Sequence, residues 1–376
     1  MARRVILPSL PVADEDVARM RLWEAGRHMA RQEMWHELDA LILHADTARL
    51  TTPGGASEAR LMIDGAQSDV SAAAIHAIDD GQVPDLSGLT AIERIAAEQG
   101  ESHAIALVVA QAHLRIGQAW SRSATPERDR SHAHFERAQA LLAPYDARAL
   151  GAPCLAALEA ELAEMLSPAV DDVVSAYRRL LALDPGNALH LRAFGLACQR
   201  AESEELPLLT QHAARLLPQS GPDLGQSGYV WLFFDALKHC DAALGALDVE
   251  RFIQGMRDIL RRQPSQHLIN ELAAFCALSM GPDRACKQRS AEKARARLHD
   301  CLSWILSEHL HELHPALWTT PDTTPLTLSR HTLPRAHIVK GREMALRVIA
   351  RHFADQLADG SSIAFSPAGM YRLPAI

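Results

Sequence analysis

The chain has 376 residues, 48% of them apolar and 22% charged, with 20 glycines and 20 prolines. That composition excludes a disordered, collagen-like or low-complexity chain, and the length suits two or three domains or one elongated array. A net charge of −8 argues against a dedicated nucleic-acid binder with a basic surface.

The first eight residues, Met-Ala-Arg-Arg-Val-Ile-Leu-Pro, hold three apolar residues between two arginines and a proline. A secretory signal needs about 7–15 apolar residues there. The longest strongly apolar run, Val230 to Phe234, is far below the ~18 residues of a membrane span. Six cysteines, at 154, 198, 240, 276, 286 and 301, contain no CxxC pair and read as reduced core thiols. The expectation is a cytoplasmic protein. Only four of the 38 basic residues are lysine, the arginine bias of a GC-rich bacterial genome.

Helical periodicity dominates in chain order. Val17, Met20, Arg21 and the stretch Glu24–Leu43 favour helix, and Leu38, Leu41 and Ile42 form one apolar stripe. Further helices are predicted over Ser57–Ile63, Asp69–Ile78, Ala91–Glu98, His103–Trp120, Ser131–Leu142, Pro153–Leu166, Val170–Leu183 and Ala188–Ala201. The series continues over Leu206–Leu217, Tyr229–Ala243, Val249–Arg262, Gln266–Met280 and Ser290–His314. Turn-forming runs such as Thr52-Pro53-Gly54-Gly55, Asp79-Asp80-Gly81 and Asp184-Pro185-Gly186-Asn187 separate them. Thr319 to Pro334 is rich in Thr and Pro, and Lys340 to Leu357 is again amphipathic. Ile363–Phe365 and Met370–Leu373 flank Ser-Pro-Ala-Gly and predict a small hairpin.

An apolar cadence recurs before prolines. Val173, Tyr177, Leu180 and Pro185 have the spacing of Leu206, Thr210, Ala213 and Pro218, and of Phe252, Met256, Ile259 and Pro264. Phe135, Ala138 and Pro144 form a looser copy. The apolar positions share one helix face, and the proline ends the helix. In the helices that follow, Leu191, Phe194, Gly195 and Cys198 match Ile269, Leu272, Ala273 and Cys276.

This pattern resembles the tetratricopeptide repeat (TPR), and Val173 to Cys198 carries it most closely. His103 to about Met280 resembles a group of uncharacterised bacterial TPR-like helical proteins. The spacing between the prolines departs from ~34 residues, Cys stands where tyrosine is usual, and Thr210 occupies an aromatic position. The fold class implied is all-α, a right-handed α-solenoid of TPR-like helical hairpins with a small C-terminal α+β cap. Residues 1–100 would form an N-terminal helical region, 101–316 the repeats, and 317–376 a linker, helix and hairpin cap.

The function implied is a non-enzymatic interaction module that binds a protein or peptide partner on a concave helical surface. His190, Arg192 and Gln199 are the expected surface contacts of the Val173–Cys198 unit, and no cofactor is expected. The asparagine or lysine clamp for peptide carboxylates is not recognisable.

Two alternatives carry specific residues. Glu33–His36 and Glu308–His311 have the Glu-x-x-His spacing of di-metal helical proteins, although common polar residues produce it readily. His311-Glu312 followed by His314 fails the HExxH zinc pattern by one position. Arg289, Lys293 and Arg297 line one helix face and would meet phosphate in a nucleic-acid binder, but a solvated face is the plainer reading. The glycines of Gly221–Gly228 lack a P-loop lysine, and His239-Cys240 point apart on a helix.

Overall fold

In a computed structural model of the chain, residues 2–100, 102–124, 127–167, 169–201, 209–211, 224–319 and 335–375 are described. Most of them are helical. No helix among them is long and apolar enough to cross a membrane. The chain divides into two compact units, Ala18–His190, and Met1–Val17 with Leu191–Ile376. The sequence instead placed divisions after residues 100 and 316.

The unit Ala18–His190 contains most of α1 (Asp14–Arg31), then α2 (Trp35–Thr47), α3 (Glu58–Asp79), α4 (Ser87–Glu98) and α5 (His103–Arg122). It continues with α6 (Arg128–Leu142), the short α7 (Ala147–Leu150), α8 (Pro153–Leu166) and α9 (Val170–Leu183). Helix α5 is apolar nearly all round, and α2, α3, α4, α6 and α8 all pack against it. Side-chain caps set several helix starts. Ser57 accepts the Arg60 N–H, Ser102 that of Ala104, and Asp146 those of Arg148 and Ala149.

Helices α1 and α3 approach so closely that a Cβ on Gly26 would lie 2.1 Å from the Met62 carbonyl oxygen. One on Gly65 would lie 1.9 Å from that of Trp23. Only glycine fits either position.

The Glu24–Leu43 stretch is broken where the sequence predicts continuity. Glu33 takes a left-handed conformation (φ 56°), and the Met34 N–H donates to the Met29 carbonyl at 2.9 Å. Arg49 (φ 55°) ends α2 in the same way, with the Leu50 N–H donating to Ala45. Both are αL helix endings, and neither uses the glycine that normally marks one.

The second unit contains most of α10 (Ala188–Ala201), then α11 (Ser227–Phe234), α12 (Ala236–His239), α13 (Asp241–Ala246) and α14 (Val249–Arg262). Three short helices thus replace the single Tyr229–Ala243 helix. Next come α15 (Gln266–Ala274) running into a π-helical turn (Phe275–Ser279), α16 (Arg289–Asp300), α17 (Leu302–Glu308), α18 (Arg335–His352) and α19 (Ala354–Leu357). The predicted Ser290–His314 helix therefore breaks near Cys301 and stops at Glu308. Of the cadence copy Leu206 to Pro218 only Thr210 is described; Leu206, Ala213 and Pro218 lie outside the described residues, as do 320–334.

A three-stranded sheet closes this unit. Strands β2 (Ser362–Ser366) and β3 (Gly369–Leu373) pair antiparallel, and β1 (Val5–Ile6) joins β2 in parallel with Val5 opposite Ile363. The next residues also pair, since the Leu313 N–H donates to the Pro8 carbonyl at 2.8 Å and the Leu10 N–H to that of Leu313 at 2.9 Å.

The cadence residues are core residues. Val173, Tyr177 and Leu180 are buried, as are Phe252, Met256 and Ile259. So are Leu191, Phe194 and Cys198, and Ile269, Leu272, Ala273 and Cys276. A Cβ on Gly195 would lie 1.8 Å from the Leu232 carbonyl oxygen, so glycine lets α10 reach α11. Phe194 is fully buried beside it. Phe194→Ala is expected to cost about 3–5 kcal/mol, read as a lower urea midpoint for the unit Leu191–Ile376.

Candidate functional site

Helices α6, α8 and α9, with the α7 segment, enclose an open groove of about 1410 Å³ within the unit Ala18–His190. Helix periodicity builds its walls. Because α9 buries Val173, Tyr177 and Leu180, its Ser175, Arg178, Arg179 and Ala182 face the groove. Helix α6 buries Phe135, Ala138 and Leu142 and turns Glu136, Gln139 and Ala140 to it. Helix α8 adds Glu159, Leu162, Ala163 and Leu166. The Tyr177 hydroxyl donates to Glu164 at 2.5 Å and ties α9 to α8.

The charges in the groove are unequally committed. Asp146 accepts the backbone N–H groups of Arg148 at 2.8 Å and Ala149 at 3.2 Å, and Asp172 accepts the Ser167 hydroxyl at 2.7 Å. Burial raises the Glu159 pKa, Arg179 opposes that shift and Asp146 adds to it. Arg148, Arg178 and Arg179 stand exposed along the same lining. The half-buried Leu166 and Leu183, with Ala140, Ala143, Ala163 and Ala182, supply the apolar surface. Apolar side chains flanked by guanidinium and carboxylate groups suit an amphipathic segment, which places leucine-like side chains inward and polar ones at the edges.

The expected contacts fall elsewhere. Arg192 is not on the surface. It is 6% exposed and donates to Asp235 through Nε (2.8 Å) and Nη2 (3.1 Å), and to Glu271 through Nη1 (2.6 Å). Its guanidinium carbon lies 4.8 Å from the Phe234 ring centroid, and the Lys238 ammonium reaches Asp235 at 2.7 Å. Charge on Asp235 and Glu271 draws the arginine inward, a cause invisible in the local helix pattern around it. His190 lies 3.2 Å from Asp184 and is mostly buried, and Gln199 is half-buried.

On α16, Arg289 and Lys293 are exposed, and Arg297 pairs with the exposed Glu250. Their neighbour Arg295 is buried instead. It donates to the carbonyls of Met280 (2.7 Å) and Gly281 (2.8 Å) and pairs with Glu292. The stripe is thus partly consumed within its own unit.

The Glu-x-x-His pairs do not share helix faces. Glu33 sits in the turn before α2, and His311 lies beyond the end of α17 with Nδ1 2.9 Å from the Gln266 amide nitrogen. Among the described residues, no group of three or more His, Cys, Asp or Glu side chains is arranged to hold a metal ion.

Sequence reasoning missed Asp235, Lys238 and Glu271, and also a chain of Glu93, His113 and His134 in the other unit. The i, i+3 pair Asp235–Lys238 and a histidine inside the apolar α5 run were the available signals. No protein-family model, no curated protein and no solved structure matches this chain.

Removing Arg192 would take the guanidinium from Glu271 and leave the buried Asp235 with Lys238 alone. Arg192→Ala is expected to cost about 3–5 kcal/mol in a denaturation experiment. Burial alone would push Asp235 up, but Arg192 and Lys238 outweigh it and hold the carboxyl below its usual value. Its contribution is therefore complete above about pH 4 and lost as the pH falls through that lower value. An acid-unfolding profile compared between wild type and Asp235→Asn checks this.

Proposed function

We propose that this chain is a non-enzymatic interaction module of TPR-like construction, acting in the cytoplasm. Its partner would be a protein or peptide whose amphipathic segment lies in the groove of α6, α8 and α9. The observation carrying the reading is the groove itself, with leucine side chains between exposed arginines and carboxylates.

The repeat-like construction has its own support. The cadence positions are buried in α9 and α14, and Pro185 and Pro264 follow the ends of those helices. Helix α5 packs on α6 and α8 on α9, as stacked hairpins would, and α18 with the three strands would act as the C-terminal cap. The location rests on cysteines that are free thiols, four of them buried.

Filling the groove tests the reading. Affinity capture from the native cell would compare wild type, Ala163→Trp and, as a control outside the groove, Arg289→Glu. A discrete partner should be retained by wild type and the control and lost with Ala163→Trp, whose thermal midpoint should stay near wild type. An unchanged captured set with Ala163→Trp overturns the assignment of the groove.

A further inference from the structure

Helix α18 buries Gly341, Ala345 and Ile349 in its own unit, and a Cβ on Gly341 would lie 2.0 Å from the Pro315 carbonyl oxygen. The opposite half of the helix is basic. At about 100° per residue, Lys340, Arg347 and Arg351 follow one line along it and Arg335 and Arg342 a second, and all five are exposed. The strip between the two rows holds the exposed Ala336, Val339 and Glu343 and ends at the buried Ala350. The N-terminal turn Ala2–Arg4 also packs on α18 and adds the exposed Arg3 and Arg4; Nη1 of the latter donates to the Leu357 carbonyl at 2.9 Å.

These cations differ from others on the same unit. Arg261 and Arg262 meet Asp258, and Arg297 meets Glu250. Among the described residues no carboxylate pairs with Arg335, Lys340, Arg342 or Arg347, and Arg351 reaches Asp283 at 3.9 Å between exposed side chains. Glu343 on the strip and Asp355 on α19 are the nearby exposed acids, and they are outnumbered. A chain of net charge −8 thus gathers unpaired cations on one helix, where their mutual repulsion favours an external polyanion.

We propose that α18 docks duplex DNA, lying in the major groove with its two basic rows against the phosphates of the two strands. That groove, about 12 Å wide, admits a helix about 10–12 Å across. Two rows of cations divided by a strip of mostly small side chains match its two phosphate walls, over about 24 Å from Arg335 to Arg351. The major groove of duplex RNA is too deep and narrow to receive them. Single strands would need aromatic side chains for stacking, and α18 has no Phe, Tyr or Trp. A lipid surface would need an apolar face, and on the strip Val339 is the one large exposed apolar residue. Contacts of this kind position the protein on the duplex without reading its sequence.

Fluorescence anisotropy of a labelled 24-bp DNA duplex with the full chain tests the proposal. About five phosphate contacts predict an affinity loss of about 100-fold between 50 and 150 mM salt. At 50 mM salt, Arg342→Glu with Arg347→Glu should lower the affinity about 100-fold, and Glu343→Gln should raise it about threefold. Arg289→Glu with Lys293→Glu, on α16, should leave it unchanged. Should the α18 reversal not fold, Glu343→Gln decides. No binding at 50 mM salt, loss with the α16 pair, or unchanged affinity in either α18 variant overturns the proposal. Equal binding of duplex RNA or poly-glutamate, or binding to phosphatidylserine vesicles in place of DNA, overturns it as well.

Discussion

A helix buried along most of its length has little water to offer its polar residues, and α5 is such a helix. Its buried polar side chains look for partners on the neighbouring helices. Gln111 draws in Asp64 of α3, His113 draws in Glu93 and His134, and Gly117 leaves room for the Phe135 ring of α6. The positions of α3, α4 and α6 are thus set by a few hydrogen bonds as well as by apolar burial. An unpaired buried polar group would cost about 1–3 kcal/mol.

The second unit solves a similar problem with charge. Arg192, Lys238, Asp235 and Glu271 neutralise one another beneath the rings of Trp231 and Phe234. Such a cluster adds little net stability over apolar packing, but it penalises any arrangement that separates its members. The groove of the other unit is the opposite case, with exposed arginines and the half-buried Leu166 and Leu183 along its lining.

Helical content and the core faces of α9, α10, α14 and α15 were legible because a repeated apolar spacing reports burial directly. The breaks at Glu33 and Arg49 were not, since a left-handed residue other than glycine leaves no compositional mark. The division of residues 227–246 into three short helices was equally hidden in a continuous apolar run. As for the candidate site, spacing separated α9's buried face from its outward one, yet nothing local showed which outward faces would line a common groove. Arg192 was misplaced because the acids that bury it lie 43 and 79 positions away.

The pairing of Val5 and Ile6 with Ile363 and Ala364 bears on how the polypeptide is made. On a ribosome adding about 5–20 residues per second, the opening segment waits tens of seconds before its strand partner has been synthesised. During that interval its exposed apolar residues, Ile6, Leu10 and Val12, have no finished sheet to join. The Ala18–His190 unit, by contrast, has all its residues in hand well before that pairing can form.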